Sequence, residues 1–348
     1  MEQKTLLLFV LGIGFLIIVS GLFLFPRDIS YDPRPGLVAR TLIDLDPNSN
    51  QMNLFAESIT TDENGILYVG DNTGRILRID PESPKIEVVG KVSTASGEPT
   101  MLLGIKFDSE GNLYVATGKY GEIWKLNKES ISVSNPGEAA VFVSGLGFTN
   151  DIVFDKYGRM LVSDSQNGVL WAIDMETRGA TQFGNQLTSR NPDIPFGING
   201  MAIDTDGTIY FSNTGNGVIH KIETRKEDGG LMSITVWRSH EALVGVDGLA
   251  IDKAGNVWAA INSKNAIFAI TKDDRRIIEV SKSDNSGPLE FPSSIAFSGE
   301  SIFITNFDVP MGDNKDNESG IGPSIATIQL GVEGVAIPPK PLSFVEGR

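Results

Sequence analysis

A block of apolar strand-like positions interrupted by Asp-x-x-Gly recurs along most of the chain. The stretch Glu57-Ser-Ile-Thr-Thr-Asp62-Glu-Asn-Gly65-Ile-Leu-Tyr-Val69 reappears as Leu103-Gly-Ile-Lys-Phe-Asp108-Ser-Glu-Gly111-Asn-Leu-Tyr-Val115. Further copies run from Asn150 to Val162, Asn199 to Phe211 and Asp247 to Ala259, and a degraded one starts at Ser293. Their first positions are separated by 46, 47, 49, 48 and 46 residues. A regular period of about 40–50 residues in a β-rich pattern marks a propeller, with one copy to each blade.

Within a copy, Asp-x-x-Gly suits a hairpin turn, because Asp accepts local backbone hydrogen bonds and Gly tolerates positive φ. The second strand carries aromatic and β-branched pairs such as Tyr68-Val69 and Tyr210-Phe211, and a third reads Ile-Leu-Arg-Ile from Ile76 or Ile-Trp-Lys-Leu from Ile123. Strands apolar on both faces belong in sheets covered on both sides, as blades are. The prediction is an all-β, six-bladed β-propeller over residues 36–348, with outer strands in the polar intervals. Gly36 to Leu45 is a spare strand placed to complete blade six and close the ring. Met311 to Gly320 is a polar excursion within that blade, and Asn317-Glu-Ser319 is a glycosylation sequon.

Ahead of the repeats, after a short flank of residues 1–4, Thr5 to Phe25 are 21 positions without a charge. As a helix they would reach about 30 Å, the thickness of a bilayer's hydrocarbon core. A cleaved signal peptide is the competing reading, but the run is longer than a usual signal core and lacks an A-x-A site. The sequence therefore predicts one N-terminal transmembrane helix, residues 5–25, and a Pro-containing tether, residues 26–35. Lys4 precedes the helix while Arg27 and Asp28 follow it, a slight bias that puts the propeller outside the cytoplasm.

Composition narrows the function further. A net charge of −15, from 29 basic and 44 acidic residues, repels phosphate backbones and argues against nucleic acid as a partner. The absence of cysteine excludes a disulfide framework, a thiolate nucleophile and a zinc–thiolate site. The first strand of every blade lines the channel, so Glu57, Leu103, Asn150, Asn199, Asp247 and Ser293 should form a ring. Two carboxylates and two amides converging without sulfur or imidazole suit calcium, and the two negative charges offset its charge. Polar residues at blade entrances can also simply bond exposed backbone; four in register favour metal.

These residues resemble the SMP-30/gluconolactonase/LRE-like family, whose relatives include paraoxonases and strictosidine-synthase-like proteins. The resemblance covers about residues 36–337 and rests on Glu57 in Phe-Ala-Glu-Ser, on Asn150-Asp151 and Asn199-Gly200, and on Asp247-Gly248-Leu-Ala-Ile-Asp252. It implies a monomeric, calcium-dependent hydrolase of lactones or aryl esters, with Glu57, Asn150, Asn199 and Asp247 as ligands. It also implies that Asp247 is the general base or nucleophile, since the matching aspartate touches both metal and substrate. Phe148 stands where sugar-lactone hydrolases often have Arg, which favours a more apolar ester or lactone. His220 occupies a third-strand position filled elsewhere by Leu77, Trp124, Trp171 and Phe268 and reads as packing. His240, seven residues before Asp247, is either a surface-loop residue or a second substrate contact beside Phe148. Two alternatives stand: a scaffold propeller whose calcium only locks the channel, and a strictosidine-synthase-like enzyme, suggested by Gly207-Thr-Ile-Tyr-Phe-Ser212.

Overall fold

A computed structural model describes residues 30–47, 54–94, 97–98, 100–315 and 320–335. Its strands form six sheets arranged as the blades of a propeller. The inner strands are Ala56–Thr61, Ile105–Phe107, Thr149–Phe154, Ile198–Ile203, Val246–Ile251 and Pro292–Ser298. Each pairs antiparallel with the strand that follows it, across the Asp-x-x-Gly turn in the first five blades and across Gly299-Glu300 in the sixth. In the first of these turns Asp62 Oδ1 accepts from the amides of Asn64 and Ile66 at 2.9 and 3.0 Å. Asp108, Asp155 and Asp252 repeat the arrangement, and the glycines that follow all take positive φ. The turn chemistry read from the sequence is what shapes the hairpins.

The predicted closing strand is present. Arg40–Asp44 pairs antiparallel with Ser324–Gln329 and becomes the outermost strand of blade six, so both ends of the repeat array share one sheet. Residues 30–35 of the predicted tether are among those described. Tyr31 donates its hydroxyl to Leu330 O at 2.8 Å and its ring approaches Trp258, because an aromatic body with one polar tip gains by docking at a blade edge. Among the described residues no helix is long and apolar enough to cross a membrane. The predicted helix over residues 5–25 and the sequon at Asn317 lie outside the described residues.

Apolar burial is divided among the seams between blades. Leu113 and Val115 face blade one while Tyr114 and Ala116 on the same strand face blade three. Alternate side chains of a strand point to opposite faces, so a blade apolar on both faces serves two interfaces. Blade six packs on blade one in the same way, through Ala296 and Phe303 against Ile59 and Val69. The stability of the ring thus depends on face-to-face contacts around an axis, and the inner strands are pressed together at that axis. A Cβ on Gly200 would lie 2.4 Å from Asp247 O, and one on Gly104 would lie 2.3 Å from Asn150 O.

Candidate active site

At five of the six blades the pairing of the inner strand slips near its start: between Ala56 and Ile59, Thr149 and Ile152, Ile198 and Met201, Val246 and Leu249, and, at blade six, Pro292 and Ser294. The residues left inside the first four of these bulges are Glu57, Asn150, Asn199 and Asp247 with their successors, and the fifth leaves out Ser293. A bulge releases a residue from the ladder and re-aims its side chain, and here it turns all four towards one end of the channel. The backbone groups it frees are caught by hydroxyls. Ser212 Oγ donates to Asp247 O at 2.7 Å, Thr305 Oγ1 to Glu57 O at 2.7 Å, and Asp151 N donates to Ser163 Oγ at 2.8 Å. Two of these ties cross from one blade to the next, so ring closure also fixes the site.

The four side chains line one cavity of about 470 Å3, together with Leu103. All are buried, at 5 to 9% exposure. Asn199 Nδ2 donates to Thr214 Oγ1 at 2.9 Å, which leaves the amide oxygen as the end available to a ligand. Asn262 Nδ2 donates to Asp247 Oδ2 at 3.1 Å. Both partners stand 15 residues after the side chain they hold, just past the second strand of the same blade. Asp247 Oδ1 is buried with no hydrogen-bond partner. A buried carboxylate oxygen without a donor is costly, and its presence among three further oxygen-bearing side chains fits a hard cation. No group of three or more His, Cys, Asp or Glu placed to hold a metal ion occurs among the described residues; half of this donor set is amide. The position meets the requirement for calcium in donor type and charge.

Electrostatics agree with the fit. Burial pushes Asp247 up to about 7, against the bond from Asn262 and with the help of Asp151. Burial and then the neighbouring Asp247 raise Glu57 well above the usual carboxylate range, and Lys106 lowers it. A carboxylate with a raised folded-state pKa contributes stability that is complete below its unfolded value, near 4, and is lost as pH rises through about 7. Calcium needs the ionised form and competes with those protons. The rise in Tm on adding calcium is therefore expected to be small at about pH 5 and larger by roughly 5 °C or more at about pH 8. Thermal melts with and without chelator across that range check it; a calcium effect that shrinks as pH rises contradicts it.

The walls above the oxygens are mostly apolar: Met101, Phe148, Ile194, Phe196, Phe291 and Phe307. Phe148, proposed from the sequence as a substrate contact, lines the cavity with its ring 6.0 Å from that of Phe196. His240 does not line it. Its Nδ1 accepts from Ala242 N at 3.0 Å and the side chain is exposed, so it caps a single 3-10 turn, Glu241–Leu243, ahead of the blade-five inner strand. His220 stacks on Phe211 with ring centres 4.7 Å apart, and burial holds it down at about 4. Ser293 supports the ring from behind, donating its hydroxyl to Glu57 O at 2.6 Å. Thr214, Asn262, Phe196 and Phe307 were missed in the sequence. Only the 15-residue offset from Asn199 and Asp247 could have flagged the first two.

Residues 195–307 match the SMP-30/Gluconolactonase/LRE-like region, and residues 64–242 match a repeat of unknown function. No curated protein sequence is a significant match. Among solved structures, a luciferin-regenerating enzyme is 17% identical with a TM-score of 0.67, over 88% of this chain and 100% of that one. A regucalcin from Agrobacterium tumefaciens, described as a calcium-binding protein, is 15% identical with a TM-score of 0.61, over 90% and 99% of the two chains. A gluconolactonase from Xanthomonas campestris is 16% identical with a TM-score of 0.61, over 86% and 95%. At these identities the likeness is one of fold.

Proposed function

We propose that this chain, whose residues 195–307 match the SMP-30/Gluconolactonase/LRE-like region, is a calcium-dependent hydrolase of small, apolar lactones or aryl esters. The observation that carries the reading is the unpartnered oxygen of Asp247, set among Glu57, Asn150 and Asn199 at the floor of an apolar-walled cavity. The family supports hydrolase-type chemistry, and the regucalcin and gluconolactonase neighbours make calcium and lactones the first ligands to try.

Glu57, Asn150, Asn199 and Asp247 would hold the ion. When bound, calcium supplies a Lewis acid that polarises a carbonyl and a counter-charge for the oxyanion, contributions of several kcal/mol to a transition state. Asn262 fixes the Asp247 carboxylate through one oxygen, and Thr214 orients the Asn199 amide. Asp247 is the candidate base that takes a proton from water, or the nucleophile that attacks the carbonyl. Phe148, Phe196, Phe291 and Phe307 seat the apolar part of the substrate and exclude bulk water. They offer no match to a sugar's hydroxyls, which favours an aryl or alkyl substituent over a polyol. The uncharged run over residues 5–25 supports a membrane-anchored protein working outside the cytoplasm.

The test uses the purified full-length chain, assayed for calcium content and then against a panel of lactones and aryl esters with and without chelator. The reading requires stoichiometric calcium and turnover that chelation removes. Retained turnover in excess chelator would reject the metal mechanism. Bound calcium with no turnover of any member would instead favour a scaffold propeller.

A further inference from the structure

Below the four-oxygen ring lie two buried charges that the proposed chemistry does not use. Lys106 Nζ is 3.7 Å from Asp151 Oδ1, and their side chains are only 8% and 10% exposed. Asp151 follows Asn150 in the blade-three bulge, but both its oxygens are occupied. Oδ1 accepts from Ile152 N at 2.8 Å and Oδ2 from Met201 N at 2.7 Å. The carboxylate is thereby fixed between blades three and four as a charge rather than offered as a ligand. Lys106 lines a second cavity, of about 420 Å3, at the other end of the channel. Its neighbours there at the equivalent inner-strand positions are uncharged: Thr60, Val153, Ala202, Ala250 and Ala296.

The charges in and just below the ring can be counted. Glu57, Asp151 and Asp247 are buried carboxylates and Lys106 is a buried ammonium, so three negative charges meet one positive and two remain. Fields from Asp151 reach both Glu57 and Asp247, and the field of Lys106 reaches Glu57, so these groups act on one site. The geometry points to Lys106 as a built-in cation of the channel, which sets the ring above it to accept a divalent rather than a trivalent ion. This rests on the reading of the ring as a cation site. The ammonium does for the second layer what a second ion would otherwise have to do, and Asp151 holds it there. A cation of charge three is repelled by Lys106 half as much again as one of charge two, so removing the ammonium favours the trivalent ion more.

The prediction is a change in the ratio of terbium to calcium affinity, measured on the full-length chain by terbium luminescence and calcium calorimetry. Lys106→Met is expected to raise the ratio about tenfold or more, and Asp151→Asn to lower it by a similar factor. Lys106→Arg should keep the wild-type ratio, and the double variant Lys106→Met/Asp151→Asn should restore it. A merely structural pair would weaken both ions together and would not reverse sign between the two single variants. If Lys106→Met does not fold, Asp151→Asn and the double variant still decide the matter. Unchanged ratios in variants of a chain that binds calcium overturn the assignment of Lys106 alone. A wild-type chain that binds neither ion removes this assignment and the ring reading together.

Discussion

Asp247→Asn is expected to stabilise the calcium-free protein while abolishing its response to calcium and its catalysis. The side chain is buried and its carboxylate is pushed up to about 7, so ionising it at neutral pH costs folding free energy. Asparagine has the same shape, can still accept from Asn262, and carries no charge to be desolvated. The calcium-free variant should therefore gain about 2 kcal/mol at neutral pH, seen as a Tm several degrees higher, with the gain vanishing towards about pH 4. In calcium the order reverses. The variant lacks one of two charged ligands and should lose roughly 100-fold or more in affinity, and turnover by about 10³ or more. Paired melts with calcium and with chelator, together with hydrolysis rates, test both halves. A calcium-free variant less stable than wild type would mean that Asp247 is already satisfied by protein groups and that the site needs no ion.

That prediction needed the structure, although much of its setting was legible beforehand. The spacing from Glu57 to Ser293 gave the blades, because a sheet packed on both faces must repeat its apolar strands at constant intervals. Asp62 and Gly65 gave the turn, because few other residues satisfy both its hydrogen bonds and its positive φ. Gly36 to Leu45 was visible as the closing strand only because blade six lacked one. The bulges were not visible. A bulge is a property of which amide pairs with which carbonyl across two strands, and Ala56-Glu57-Ser58 has no composition that announces it. The same holds for Thr214 and Asn262, which are ordinary turn residues until the inner strand places a ligand opposite them.

Other differences trace to side chains whose surroundings are assembled from distant segments. Ile194 and Phe196 come from a connection before blade four, and Phe307 from the long connection between the second and third strands of blade six. Neither segment carries a pattern that predicts an apolar wall. Lys106 sits where five other blades place Thr, Val or Ala, and in sequence it resembles one more solvated strand residue; burial beside Asp151 is what makes it informative. His240 erred the other way. Its closeness in sequence to Asp247 suggested a substrate contact, whereas its ring is engaged by the amide of Ala242 two residues on, a local bond that no long-range contact opposes.

Gly200→Ala should be a severely damaging small substitution at the axis. The added Cβ would fall 2.4 Å from Asp247 O and 2.6 Å from Gly248 Cα, and both are backbone atoms of the next blade with no rotamer to change. Relief requires the inner strands of blades four and five to part at the level of the ligands. The displaced carbonyl is the one held by Ser212 Oγ, so strain passes directly to Asp247. A loss of about 3–5 kcal/mol is expected, with calcium affinity falling even in molecules that remain folded. Gly145→Ala serves as the comparison. Gly145, unlike Gly200, has positive φ, and nothing lies within 4 Å of its would-be Cβ, so only the backbone preference is lost, about 1 kcal/mol. Denaturant unfolding of both variants, with calcium binding measured on each, separates the two causes. Equal losses would mean that close approach of the inner strands does not hold the site together, and that the ligand ring is set by the bulges alone.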